Sequence, residues 1–97
     1  MVTGKKFLYL WSDDLNGTGL KGQIPFNART VHSSNVEWVG WPYRRPERMM
    51  VVEFKDGSRY AYLGVSRQRA VACAMAFSSG IYLNARVKPN FKVVKLR

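Results

Sequence analysis

Apolar and polar side chains alternate through residues 49–63, and the alternation is interrupted once, at Asp56-Gly57. Before the interruption Met50, Val52 and Phe54 take one parity, and Met49, Val51 and Glu53 the other. After it Tyr60 and Tyr62 alternate with Arg59, Ala61 and Leu63. A period of two on both sides of a dipeptide that tolerates positive φ predicts a β-hairpin. The two tyrosines then share one face of the sheet.

The period changes at Ser66, a residue suited to cap a helix N-terminus. Residues 67–77 are rich in helix-forming alanine and arginine, and predict a helix. Its stripe of Ala70, Val71, Ala74, Met75 and Phe77 is expected to face the sheet, with Gly80 as the glycine that ends it. Upstream, Lys6–Trp11 reads as a strand, 12–19 as a glycine-rich turn and 21–26 as a returning strand stopped by Pro25. Residues 26–32 read as irregular or a brief helical turn. Val36–Trp41 reads as a strand with Val36, Trp38 and Gly40 on one face and Glu37, Val39 and Trp41 on the other. Pro42–Pro46 reads as loop, Ile81–Asn84 as a short extended piece and Phe91–Leu96 as a last strand. The expected class is α+β: a small antiparallel sheet with one principal helix packed on one face.

Charge narrows the choice of partner. The chain has 97 residues, enough for one core, and a net charge of +10. All six acids lie at or before Asp56, so Arg59, Arg67, Arg69, Arg86, Lys88, Lys92, Lys95 and Arg97 follow with nothing to offset them. Such a balance suits phosphate backbones, an acidic surface or an acidic protein patch. One cysteine, Cys73, rules out an internal disulfide and fits a reducing compartment. No apolar run is long enough to cross a bilayer, and Phe7–Trp11 is too short for a signal-peptide core, so a cytoplasmic location is expected.

Catalytic motifs are weak. Gly17-x-Gly19-x-x-Gly22 matches the dinucleotide fingerprint in letters, but Gln23-Ile24-Pro25-Phe26 cannot open the helix that fingerprint needs, so a hairpin loop is expected. His32 adjoins Ser33 and Ser34, yet adjacency in sequence does not align a base with a nucleophile, and the serines read as turn residues. Cys73 sits among helical alanines as a small hydrophobe. No metal site, cofactor or catalytic set is expected.

Binding residues are easier to nominate. Trp41, Tyr43, Arg44, Arg45 and Arg48 cluster in and after a proline-bounded basic segment and are expected to form the main contact surface. Arg67 and Arg69 in the first helical turn read either as an anion site or as solvated surface. Arg86, Lys88, Lys92 and Lys95 read either as a track for a phosphate backbone or as the solvated face of an edge strand. Tyr60 and Tyr62 would stack on bases if exposed; because the helix needs a sheet face to cover, the core reading is favoured.

Several motifs between Ser33 and Lys88 resemble the KTSC domain, a module found at the C-terminus of some lysyl-tRNA synthetases and as free-standing bacterial and phage proteins. They are Ser33-Ser34, Val36, Val39-Gly40-Trp41, then Met50, Val52, Phe54 and Gly57. Tyr60-x-Tyr62 with Val65 and Ser78-x-Gly80-x-Tyr82-x-Asn84 complete the series. Ser66 stands where that family usually has proline, and the helix lacks the acids common in it. The resemblance divides the chain into an N-terminal strand-turn-strand extension packed on the same domain (1–32), a KTSC-like body (33–88) and a basic strand or tail (89–97). It implies RNA binding without an established catalytic activity.

In length the chain is also similar to the small anti-RecBCD proteins of temperate phages. The expectation is therefore a non-enzymatic binding protein of nucleic-acid metabolism. Its partner is nucleic acid or an acidic patch on a nucleic-acid-processing protein such as RecBCD, with no membrane and no small-molecule substrate involved.

Overall fold

The computed structural model describes residues 2–11, 15, 17–43 and 47–97, with side chains from Phe7 onward. Six antiparallel strands form one sheet in chain order: β1 (Val2–Trp11), β2 (Gln23–Val31), β3 (Val36–Pro42), β4 (Met49–Phe54), β5 (Arg59–Leu63) and β6 (Lys92–Lys95). Between β5 and β6 the chain forms α1 (Arg67–Met75) and α2 (Ser79–Tyr82), and α2 runs into a π-helical turn, Leu83–Val87. The class is α+β as expected, with two helical segments in place of one.

Each face of the sheet buries its own core. On the inner face Leu10, Ile24, Phe26, Ala28, Trp38, Met49, Val51 and Ala61 are buried against one another without a helical residue among them. Such burial requires the sheet to curl so that its strands face each other, and Leu15, Leu20 and Leu96 complete the filling. Gly17, at φ +90, belongs to the β1–β2 connection, and a Cβ there would stand 3.0 Å from Val94 Cγ1 of β6. That connection therefore closes the curled sheet near its other edge. On the outer face Val31, Val39, Trp41, Met50, Val52 and Tyr62 receive Ala70, Cys73 and Ala74 of α1, with Leu83 and Val87. Small helical side chains let α1 lie close to the strands.

The expected hairpin is β4–β5, and its register pairs Val52 with Tyr60 and Met50 with Tyr62. Its tip is a three-residue loop. The Phe54 N–H donates to Ser58 O at 2.8 Å, the Gly57 N–H to Phe54 O at 2.9 Å, and Gly57 takes φ +91. The Asp56 carboxylate accepts from the Ser58 hydroxyl at 2.6 Å and its N–H at 2.9 Å, which holds the acid below its usual pKa. Tyr62 is 3% exposed and Tyr60 packs half-buried on the same cluster, so the core reading of the pair holds.

Several local expectations are corrected. Residues 26–31 continue β2 through Pro25. Pro25 is tolerated because its carbonyl points to the end of the β3 ladder, where it accepts from the Tyr43 N–H at 2.8 Å. The backbone N of an extended residue points the same way, so only one terminal ladder bond is forgone. In β3 a register shift between Val36 and Trp38 breaks the alternation. Val36 therefore joins Val39 and Trp41 in the outer core, whereas Trp38 and Gly40, expected on the face of Val36, turn inward.

The helix is shorter than its composition suggests. Ser66 caps it, accepting from the Arg69 N–H at 3.2 Å, but α1 ends at Met75 and Ala76 is already extended. Met75 and Phe77 are 61% and 98% exposed, because the buried stripe is Ala70, Cys73 and Ala74 and Phe77 lies beyond the last turn. Gly80 is inside α2, not a helix terminator: a Cβ there would stand 2.9 Å from Asn35 Oδ1, so its bareness admits the β2–β3 connection. Residues 81–84 are helical rather than extended. The Ser79 hydroxyl, buried, donates to Cys73 O at 2.9 Å and ties α2 to α1.

Candidate nucleic-acid interface

The outer face of β5 and β6 carries a groove of about 440 Å³ lined by Phe54, Ser58, Tyr60, Tyr62, Lys88 and Val93. Cross-strand register builds it, because Lys95 lies opposite Tyr60 and Val93 opposite Tyr62 on the same face. The ring of Tyr60 meets that of Phe54 edge to face, centroids 5.7 Å apart. Lys88, carried by the chain just after the π-helical turn, places Nζ 5.9 Å from the Phe54 centroid. Lys95 places Nζ 6.0 Å from the Tyr60 centroid. Two cations thus stand over two partly exposed rings on the flanks of one groove, a pairing that attracts both phosphate and aromatic planes. Tyr62 at the base keeps its proton, its phenol pushed up to about 12 mainly by burial and then by the neighbouring Tyr60.

The other nominated residues fall elsewhere. Trp41 is 5% exposed and belongs to the outer core, so it is not a contact residue: β3 runs through Pro42 and keeps Trp41 within the sheet. Tyr43, just beyond, is 56% exposed. Arg44 and Arg45 lie outside the described residues. Arg48 is exposed and, with Glu47, Ser66, Arg67 and Gln68, lines a recess of about 310 Å³ at the start of α1. Arg67 and Arg69 do not form one anion site. Arg67 Nη2 donates to Tyr43 O at 2.7 Å, whereas the Arg69 guanidinium stands 5.8 Å from the Phe91 centroid. Residues two apart on a helix point to different sides, which the spacing already dictated. Arg86 is exposed on the π-helical turn. Lys92 is exposed on β6 opposite Leu63, on the parity that faces away from the groove.

Sequence reasoning therefore placed Lys88 and Lys95 in the binding set but missed what they flank. Tyr60, favoured as core because the helix needs a sheet face to cover, is packed on the core together with Phe54. Only their position near the β6 edge leaves part of each ring uncovered. Gly17, Gly19 and Gly22 all take positive φ in the loop before β2, as the hairpin reading of that motif requires. Ser33 accepts from the Val36 N–H at 3.1 Å and donates to Asn35 Oδ1 at 3.1 Å, which makes it a turn residue. Cys73 is buried, and burial pushes its thiol up to about 12. Among the described residues no helix is long and apolar enough to cross a membrane.

An antiparallel sheet with small helices on its outer face defines a compact α+β domain. The chain belongs to the KTSC domain family, whose model matches residues 32–91. It is similar to the crystal structure of a KTSC domain protein from Yersinia pestis, with a TM-score of 0.64 and 26% identity over 74% of this chain and 99% of that one. No curated protein matches the chain. The family match begins after β2, so β1 and β2 lie outside it.

Proposed function

We propose that this protein is a non-catalytic nucleic-acid-binding module acting in the bacterial or phage-infected cytoplasm. The observation that carries the reading is the pair Lys88 and Lys95, each over a ring of the Phe54–Tyr60 groove. Lysines there meet phosphates, and the uncovered parts of the rings meet bases, with little demand on sequence. Exposed Arg69, Arg86 and Arg48 extend the positive surface beyond the groove. The net charge of +10 supplies long-range attraction to a polyanion. The test is capture of partners from bacterial lysate with and without nuclease. Nucleic acid recovered by the native protein, and lost from a Lys88→Ala/Lys95→Ala variant, supports the reading.

A second reading draws on a different observation. Met75, Phe77 and Ile81 are 61%, 98% and 70% exposed around the α1–α2 corner, an apolar surface that a nucleic acid does not need. It favours a protein target, such as a host recombination nuclease of the RecBCD kind whose activity the protein alters. A partner that survives nuclease treatment and is lost on Phe77→Ser supports this alternative over the first.

A further inference from the structure

From Phe7 to Trp11, β1 carries an apolar or aromatic residue at every position, on both faces. Leu8 and Leu10 point into the inner core, as one parity of an edge strand should. The other parity, where a solvated strand ordinarily carries polar residues, holds Phe7, Tyr9 and Trp11. They are 52%, 52% and 55% exposed. Tyr43, 56% exposed, joins them from the end of β3: the Phe7 ring meets Tyr9 edge to face at 5.4 Å and Tyr43 at 5.7 Å. About half of each ring's surface is open, and a contiguous exposed apolar row of this kind marks a contact surface.

The surroundings select the occupant. Opposite the three rings on β2 stand Asn27, Pro25 and Gln23, none of them charged. The Arg67 guanidinium lies at the Tyr43 carbonyl, at the inner end of the row. A net charge of +10 opposes a second copy of the chain and favours a polyanion. A polyanion that also uses flat aromatic surface is a nucleic acid, and only an unpaired strand can offer its base faces.

We infer that the outward face of β1, with Tyr43, is a stacking platform for single-stranded nucleic acid. This rests on the nucleic-acid reading above and adds to it the strand form recognised and a second contact, one that lies almost wholly outside the family-matched residues 32–91.

The structure contains its own reporter. Trp38 and Trp41 are 3% and 5% exposed, so among the tryptophans Trp11 alone is open to a ligand. Intrinsic fluorescence of the full chain is titrated at low salt with oligo(dT) of roughly 20 nucleotides, and with a duplex of equal length. Oligo(dT) is expected to quench the emission, and Trp11→Phe to abolish the quenching while most of the affinity remains. Tyr9→Ala, tested beside Phe7→Ala, should weaken oligo(dT) binding by about 5- to 100-fold while sparing the duplex. Oligonucleotide binding with unchanged Trp11 emission and unaffected variants overturns the platform and leaves the nucleic-acid reading standing. Equal quenching by duplex, or emission that changes with protein concentration alone, also overturns it, the latter in favour of a second copy. Absence of binding to either probe overturns both readings.

Discussion

Lys95 Nζ stands 6.0 Å from the ring centroid of Tyr60, the residue it pairs with across β5 and β6. The cross-strand pair puts charge and ring together at a sheet edge, where neither is fully buried. Replacing both Lys95 and Lys88 by alanine removes two candidate phosphate contacts. For a single strand each contact contributes about 0.7 to the slope of log K against log salt. The double variant should therefore lose affinity at low salt and reduce the slope by about 1.4, as read by fluorescence anisotropy. Thermal unfolding of the variant should stay near that of the native protein.

Glu53 organises the opposite face. Its Oε1 accepts from Arg59 Nη2 at 2.7 Å and Nε at 3.0 Å, and from Arg97 Nη2 at 3.0 Å. Arg59 also stands 5.3 Å over the Trp38 ring. Glu53→Gln leaves two guanidiniums facing each other with no compensating charge. The expected cost is about 1–3 kcal/mol in urea unfolding, with nucleic-acid affinity unchanged or raised.

Gly40 admits no side chain. A Cβ there would stand 3.0 Å from the Trp38 ring, 3.1 Å from the backbone oxygen of Asn27 and 3.4 Å from Ala28 Cβ. The backbone oxygen cannot move without disturbing the β2–β3 ladder. Gly40→Ala should destabilise by about 1–3 kcal/mol, measured by chemical denaturation. Stability within error of the native protein would contradict the packing described.

Alkaline pH tests the outer core. Burial raises the Cys73 thiol from 9.0 to about 12 and the Tyr62 phenol from 10.0 to about 12. Both groups hold their protons more tightly when folded, so their contribution is fully present below the unfolded values. It is lost as pH climbs from about 9 towards 12, because the unfolded chain ionises first. Urea midpoints should fall over that range, and at pH 8 the native thiol should resist alkylation that the unfolded chain undergoes rapidly.

Much of this was legible in the residues. The hairpin, the Ser66 cap and the burial of Tyr62 follow from period, capping chemistry and the need to cover a helix. The register shift before Trp38 was not legible, because alternation alone cannot show an extra residue. Nor was the end of α1, where alanine-rich sequence continues past Met75 but tertiary packing does not. Composition alone therefore extends the core stripe to Met75 and Phe77, which the structure leaves exposed. Pro42 ends β3 and leaves Trp41 inside the strand, so a proline-bounded segment does not by itself expose the residue before it. In the candidate site, charge identified Lys88 and Lys95, but only three-dimensional register placed rings beneath them. Phe7, Tyr9 and Trp11 were legible as a strand, yet which parity faced outward depended on how the sheet curls.

Nucleic-acid binding by the positive, ring-bearing surface underlies the predictions for Lys88, Lys95 and β1. Its most direct test is the affinity of the full chain for a labelled single-stranded oligonucleotide, measured across a series of salt concentrations. Binding is expected at low salt, with log K falling linearly with log salt by about 0.7 per neutralised phosphate, to a total slope of about −2 or steeper. No binding at low salt, or an affinity indifferent to salt, would contradict it.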